Sequence, residues 1–136
     1  SKYPWNSVHE SRSGHVHEVD DTEGKERISQ YHKSGTFYEI HPDGSKVTKV
    51  VKDNYEVVHG DDYILVKGNV KINVVGNASV LVGGNCDLEV MGNMKEHIAG
   101  NYEMQVDGSA KWNVNGDWAR SSGTHISDDA PTIDHN

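Results

Sequence analysis

Residues 60–92 read GDDYILVK GNVKINVV GNASVLVG GNCDLEVM G, blocks of eight that each open on glycine. The period reaches well beyond this stretch: glycine stands at Gly44 and then at Gly60, Gly68, Gly76, Gly84, Gly92, Gly100, Gly108 and Gly116. With glycine as position one, position seven is Val50, Val58, Val66, Val74, Val82, Val90, Ile98, Val106 and Val114, nine β-branched residues in succession. A fixed period of this kind is the mark of a repeat architecture, so function is to be sought first in a shape rather than in a pocket.

Position two is short and polar, as at Asp61, Asn69, Asn77, Asn85, Asn93, Asn101, Ser109 and Asp117. Glycine reaches positive φ without steric penalty, and Asn or Asp tolerates the left-handed region, so the pair predicts a corner repeated at a fixed interval. Each octad then reads as one short strand and one turn. Positions three, five and seven run Val70, Ile72, Val74, then Ala78, Val80, Val82, then Cys86, Leu88, Val90, whereas positions four and six hold residues such as Lys71, Asn73, Ser79, Asp87 and Glu89. That alternation places one set on each face of a strand and predicts that the first set is buried.

One chain has little with which to bury it. Only 34% of the 136 residues are hydrophobic, the mean hydropathy is -0.74, and a ribbon of short strands closes a core only by stacking on itself or on copies. A single-chain solenoid with three octads per coil and an intertwined trimer both satisfy the octad, so periodicity leaves the oligomeric state open.

The 21 acidic and 13 basic residues give a net charge of -8, which speaks against a nucleic-acid or anionic-membrane binder. No apolar run approaches the ~20 residues that span a bilayer, and no signal sequence opens the chain; the abrupt Ser1-Lys2-Tyr3-Pro4 start suggests a piece of something larger. The lone Cys86 excludes an intrachain disulfide, and its place at position three predicts a buried, inert thiol. Ahead of the array, His15 to Val19, Ile28 to His32 and Thr36 to His41 read as longer strands separated by glycine-bearing turns. Beyond Gly116 the register fails, with Thr124 where glycine is due, and the array is expected to close there.

The residues Ser13-Gly14-His15, Glu18-Val19-Asp20-Asp21-Thr22, Gly24, Glu26-Arg27-Ile28, His32-Lys33-Ser34-Gly35-Thr36, Glu39-Ile40 and Pro42-Asp43-Gly44-Ser45, followed by valine-glycine octads, carry a resemblance. In order and spacing this pattern resembles the carboxy-terminal spike of the tail-associated lysozyme of T-even-type contractile-tailed bacteriophages. It is also similar to the valine-glycine repeat spike proteins of type VI secretion. The resemblance covers nearly the whole chain. It implies an all-β, intertwined homotrimeric triple-stranded β-helix, a triangular β-prism built from octad repeats. Residues 1–43 would be a hairpin-rich neck, 44–119 the shaft and 120–136 a closing tip. The glycines named above would be its corners and the position-seven residues its core.

The implied role is the membrane-piercing needle of the virion tail baseplate, driven through the host outer membrane by mechanical force. Its partners would be its own copies, a small cap seated on a tip that includes Pro131 and Ile133, the baseplate hub and the outer membrane, with no nucleic acid. In that family a lysozyme and an oligosaccharide-binding-type barrel precede the needle; nothing here corresponds to them, so no catalysis is expected. Departures are Lys52 at a corner, an extra Gly83 at position eight, and a bulkier inward set below Gly92: Met94, Glu96, Tyr102, Met104, Trp112, Trp118 and Arg120. The alternatives are a monomeric β-solenoid that binds a ligand along one flat wall, and a secretion-type spike.

Metal chemistry is the other reading. His15 and His17 share a strand face, and related phage spikes hold iron on the threefold axis with a His-X-His pair near the tip. Here the pair lies at the opposite end, and the tip offers only His125 and His135, so no metal or other cofactor is expected beyond ions or small molecules in the lumen. Ser, His and Asp are plentiful, but no nucleophile elbow accompanies them.

Overall fold

A computed structural model describes residues 5–134, which contain strands and no helix. Five strands, β1 (Asn6–Glu10), β2 (Val16–Asp20), β3 (Arg27–Tyr31), β4 (Phe37–Ile40) and β5 (Lys46–Lys49), form one open antiparallel sheet in the order β1-β2-β3-β4-β5. Every pairing joins strands consecutive in sequence, so the sheet is a meander whose ladders lie within one chain.

Three of its four turns follow one plan. In His32–Thr36 the Gly35 N–H donates to the His32 carbonyl at 2.9 Å and the His32 N–H to the Thr36 carbonyl at 2.8 Å, with Gly35 at φ 100°. Ser11–His15 repeats this with Gly14 at φ 99°, and His41–Ser45 with Gly44 at φ 88°. This is the three-residue hairpin loop that ends in a left-handed residue, which only glycine adopts without strain. In the last loop Pro42 pre-sets φ for the turn, and Asp43 accepts both the Ser45 N–H at 2.9 Å and the Ser45 hydroxyl at 3.0 Å.

The strands expected from the sequence are present, each displaced by a residue or so. His15, His32, Thr36 and His41 serve the loop closures instead of the strand interiors. Two strands escaped the pattern. Both β1 and β5 contain a single aliphatic residue, Val8 and Val47, so neither shows alternation.

After Lys49 regular ladders end among the described residues. The chain continues as six-residue segments outside any strand, separated by two-residue bends at 51–52, 59–60, 67–68, 75–76, 83–84, 91–92, 99–100, 107–108, 115–116 and 123–124. The octad is therefore a period of the backbone as well as of the sequence. Two expectations need correction. The corner glycines from Gly60 to Gly116 do not lie at positive φ; only Gly14, Gly24, Gly35 and Gly44 do among the described residues. Lys52 and Thr124 accordingly occupy the same bend as glycine elsewhere. The frame also does not fail after Gly116, because the Gly123-Thr124 bend keeps the eight-residue interval and a further bend falls at Pro131.

The chain divides into two units, Ser1–Val75 and Gly76–Asn136, each with its own contacts. Among the described residues no hydrophobic side chain is buried. The buried residues are polar: Asp20, Thr22 and Ser29, all in the meander. A sheet and an array that expose their apolar faces lack the core a stable domain requires.

Candidate functional site: an uncovered octad surface

From Val58 onward the stripe at position seven is half covered by its own chain, by nearly the same amount at each level. Val58, Val66, Val74, Val82, Val90, Ile98, Val106 and Val114 are all between 46% and 55% exposed. Positions three and five remain open, with Ile72 at 81%, Val80 at 90% and Val70 at 65% exposure. Cys86 is likewise exposed in the single chain rather than buried. In each of the two units the residues at these positions are thus largely apolar and left uncovered by the chain.

The corner glycines show the same one-sidedness. A methyl group added at Gly60, Gly68, Gly76, Gly84, Gly92, Gly100, Gly108 or Gly116 would meet no atom within 4 Å. Neither backbone conformation nor crowding within the chain asks for glycine there. Pro131 lies in a bend and Ile133 is 47% exposed.

Near the end of the array the inward positions touch one another. The Trp112 and Trp118 rings stack with centroids 6.2 Å apart and planes 9° from parallel. Arg120 and Asp128 are both at position five, in successive octads. The Arg120 Nη1 donates to Asp128 Oδ1 at 3.1 Å and Nη2 to Oδ2 at 2.8 Å, the bidentate geometry that matches guanidinium to carboxylate. Its hydrogen bonds to the Asp128 carboxylate raise the Arg120 pKa above its already high ordinary value. Sequence reading marked Trp112, Trp118 and Arg120 as bulky departures but missed Asp128. Its eight-residue spacing from Arg120 was the available signal.

The meander gathers histidines. His9 and His17 are direct cross-strand partners, and the His15 and His32 rings lie 4.5 Å apart. His15 Nδ1 accepts the Lys33 N–H at 3.1 Å, which occupies that nitrogen. Among the described residues no group of three or more His, Cys, Asp or Glu is placed to hold a metal ion; His135 lies outside the described residues. On the other face Arg27 pairs with Glu18. Asp20 accepts the Thr22 N–H at 3.0 Å, and its hydrogen bonds to Thr22 hold the carboxyl below its ordinary pKa. Asp43 is lowered in the same way by Ser45.

No family model matches the chain. Over 72 residues, 53% of the chain, it is 57% identical to Protein Gp5 of Vibrio phage KVP40. Over an equal span of 72 residues it is 39% identical to the Pre-baseplate central spike protein Gp5 of Enterobacteria phage T4. Its homologues are phage Gp5 proteins. The matched stretch spans 17% of the length of the KVP40 protein and 12% of that of the T4 protein, so the similarity concerns one segment of much longer chains.

Proposed function

We propose that this chain is the octad-repeat spike of a phage tail baseplate. In this reading three copies wind into a triple-stranded β-helix that is driven through the host outer membrane by mechanical force. The observation that carries it is the uncovered apolar face of an eight-residue backbone period, in a chain with Gp5 homologues, one of them named as a pre-baseplate central spike protein. Copies wound about a common axis supply what the single chain lacks. They cover the remaining half of the position-seven stripe, supply strand pairing to the backbone of the six-residue segments, and approach the corners closely enough to require glycine. Interlaced strands also cannot slide separately, which is what a shaft that transmits force needs. Pro131 and Ile133 belong to a tip that seats a small cap protein, and the chain itself performs no catalysis.

The decisive measurement is mass in solution by light scattering, supported by resistance to SDS without boiling. A trimer that survives SDS is expected, because unwinding must precede loss of any level and long-range strand pairing makes that slow. A mass of 15.1 kDa at micromolar concentration would rule the reading out in favour of a single-chain solenoid.

A further inference from the structure

Copies that share an eight-residue period face a problem of alignment. A copy slid by one octad still matches its neighbours in glycine corners, strand parity and the position-seven stripe, so the array alone favours no register. Across the three octads from Gly68 to Met91 nothing discriminates. Position three runs Val70, Ala78, Cys86 and position five runs Ile72, Val80, Leu88, aliphatic or small residues that can replace one another, whereas the octads on either side carry Asp62 at position three and Glu96 at position five.

The octads from Gly108 onward differ. Position three changes from Tyr102 to Ala110 to Trp118 to Ile126, and position five from Met104 to Trp112 to Arg120 to Asp128. A copy displaced by one octad would bring Trp118 to a level where its partners carry Ala110. It would also bring the ionised Arg120 to the level of their Trp112. The first mismatch is steric and the second leaves a charge pair desolvated among indoles. The contacts already formed in the chain, the Trp112–Trp118 stack and the Arg120–Asp128 fork, pre-set these side chains before copies meet.

We propose that Trp112, Trp118, Arg120 and Asp128, with Ala110 between them, form the surface by which copies of this chain recognise one another in a single register. This rests on the trimer reading above. In the aligned assembly each Arg120 is neutralised by its own Asp128, and the tryptophans fill the levels beneath.

The test uses the whole chain with Cys86→Ala and a spin label at Glu103→Cys, a position of outward parity. Mass is measured first: a monomer of the labelled parent sinks the trimer reading itself, whereas a trimer lets alignment be read. Electron–electron distance measurements on the parent should then give one short label–label distance. The fourfold variant Trp112→Leu, Trp118→Leu, Arg120→Leu, Asp128→Leu should remain trimeric and add longer distances from slipped copies. If it aggregates, the paired variants Trp112→Leu/Trp118→Leu and Arg120→Leu/Asp128→Leu carry the comparison, and longer distances in either support the proposal. A single short distance in every soluble variant overturns it. Loss of the soluble trimer in all three would show these residues to be simple core, and overturns it equally.

Discussion

At the scale of residues, the corner glycines pose a sharper question than the valines. Glycine in a chain is ordinarily explained by positive φ or by a crowded neighbour, and from Gly60 to Gly116 neither holds within one chain. Thr124 in the equivalent bend shows that the backbone path itself accepts a side chain. If another copy approaches the corners, Gly92→Ala should destabilise the assembly by about 1–3 kcal/mol per copy through overpacking. Thr124→Ala should be nearly neutral. Chemical denaturation of the trimer checks this, and equal small effects would remove close approach as the reason for glycine. The stripe is tested in parallel. Val82→Asp sets an unpaired charge where apolar cover is expected, at a cost of at least several kcal/mol, so assembly should fail. Lys71→Glu, of opposite parity, should be nearly silent in the same sizing experiment. Similar outcomes for the two would mean that the inward and outward faces are wrongly assigned.

At the scale of elements, the meander's hydrogen-bonded carboxylates make its stability depend on pH. Asp20 and Asp43 are both held below the ordinary carboxylate value of about 3.9 by bonds to Thr22 and Ser45. The unfolded chain therefore takes up protons first as pH falls. The stability these groups contribute is present above about pH 4 and is lost as pH drops through their lowered folded values. Thermal melts between pH 6 and pH 2.5 should show that loss, and Asp20→Asn should flatten it; an unchanged profile in the variant would exclude Asp20 as a contributor. The turns at Gly35 and Gly44 were legible because each glycine does what glycine does best, whereas the turn at Gly14 went unread with the strand before it. Strands β1 and β5 were not legible, because Asn6–Glu10 and Lys46–Lys49 owe their conformation to the ladders beside them and have no alternation of their own. The octad bends were legible in position but not in cause, since a period locates a corner without disclosing its φ. Thr124 misled for the same reason: a corner that needs no positive φ can dispense with glycine and keep its place.

At the scale of the whole molecule, the octad is either the unit of construction or a sequence habit, and two deletions distinguish these. Removing Gly84 through Met91 takes out one bend and one six-residue segment, leaving glycine corners, parity and the position-seven stripe aligned on either side. Repeat proteins depend mainly on contacts between neighbouring units, so the shortened chain should still assemble and keep its resistance to SDS. Removing only Gly84 through Asp87 preserves side-chain parity but brings the bend at 91–92 four residues early. Among wound copies that change is severe, because every level beyond the deletion would present its corner where its neighbours present a strand. The four-residue deletion should therefore aggregate or fray while the eight-residue deletion behaves as a shorter spike, as read on a sizing column and by SDS resistance. Equal tolerance of the two deletions would mean that adjoining levels do not stack through their corners, and the force-bearing shaft would lose its physical basis.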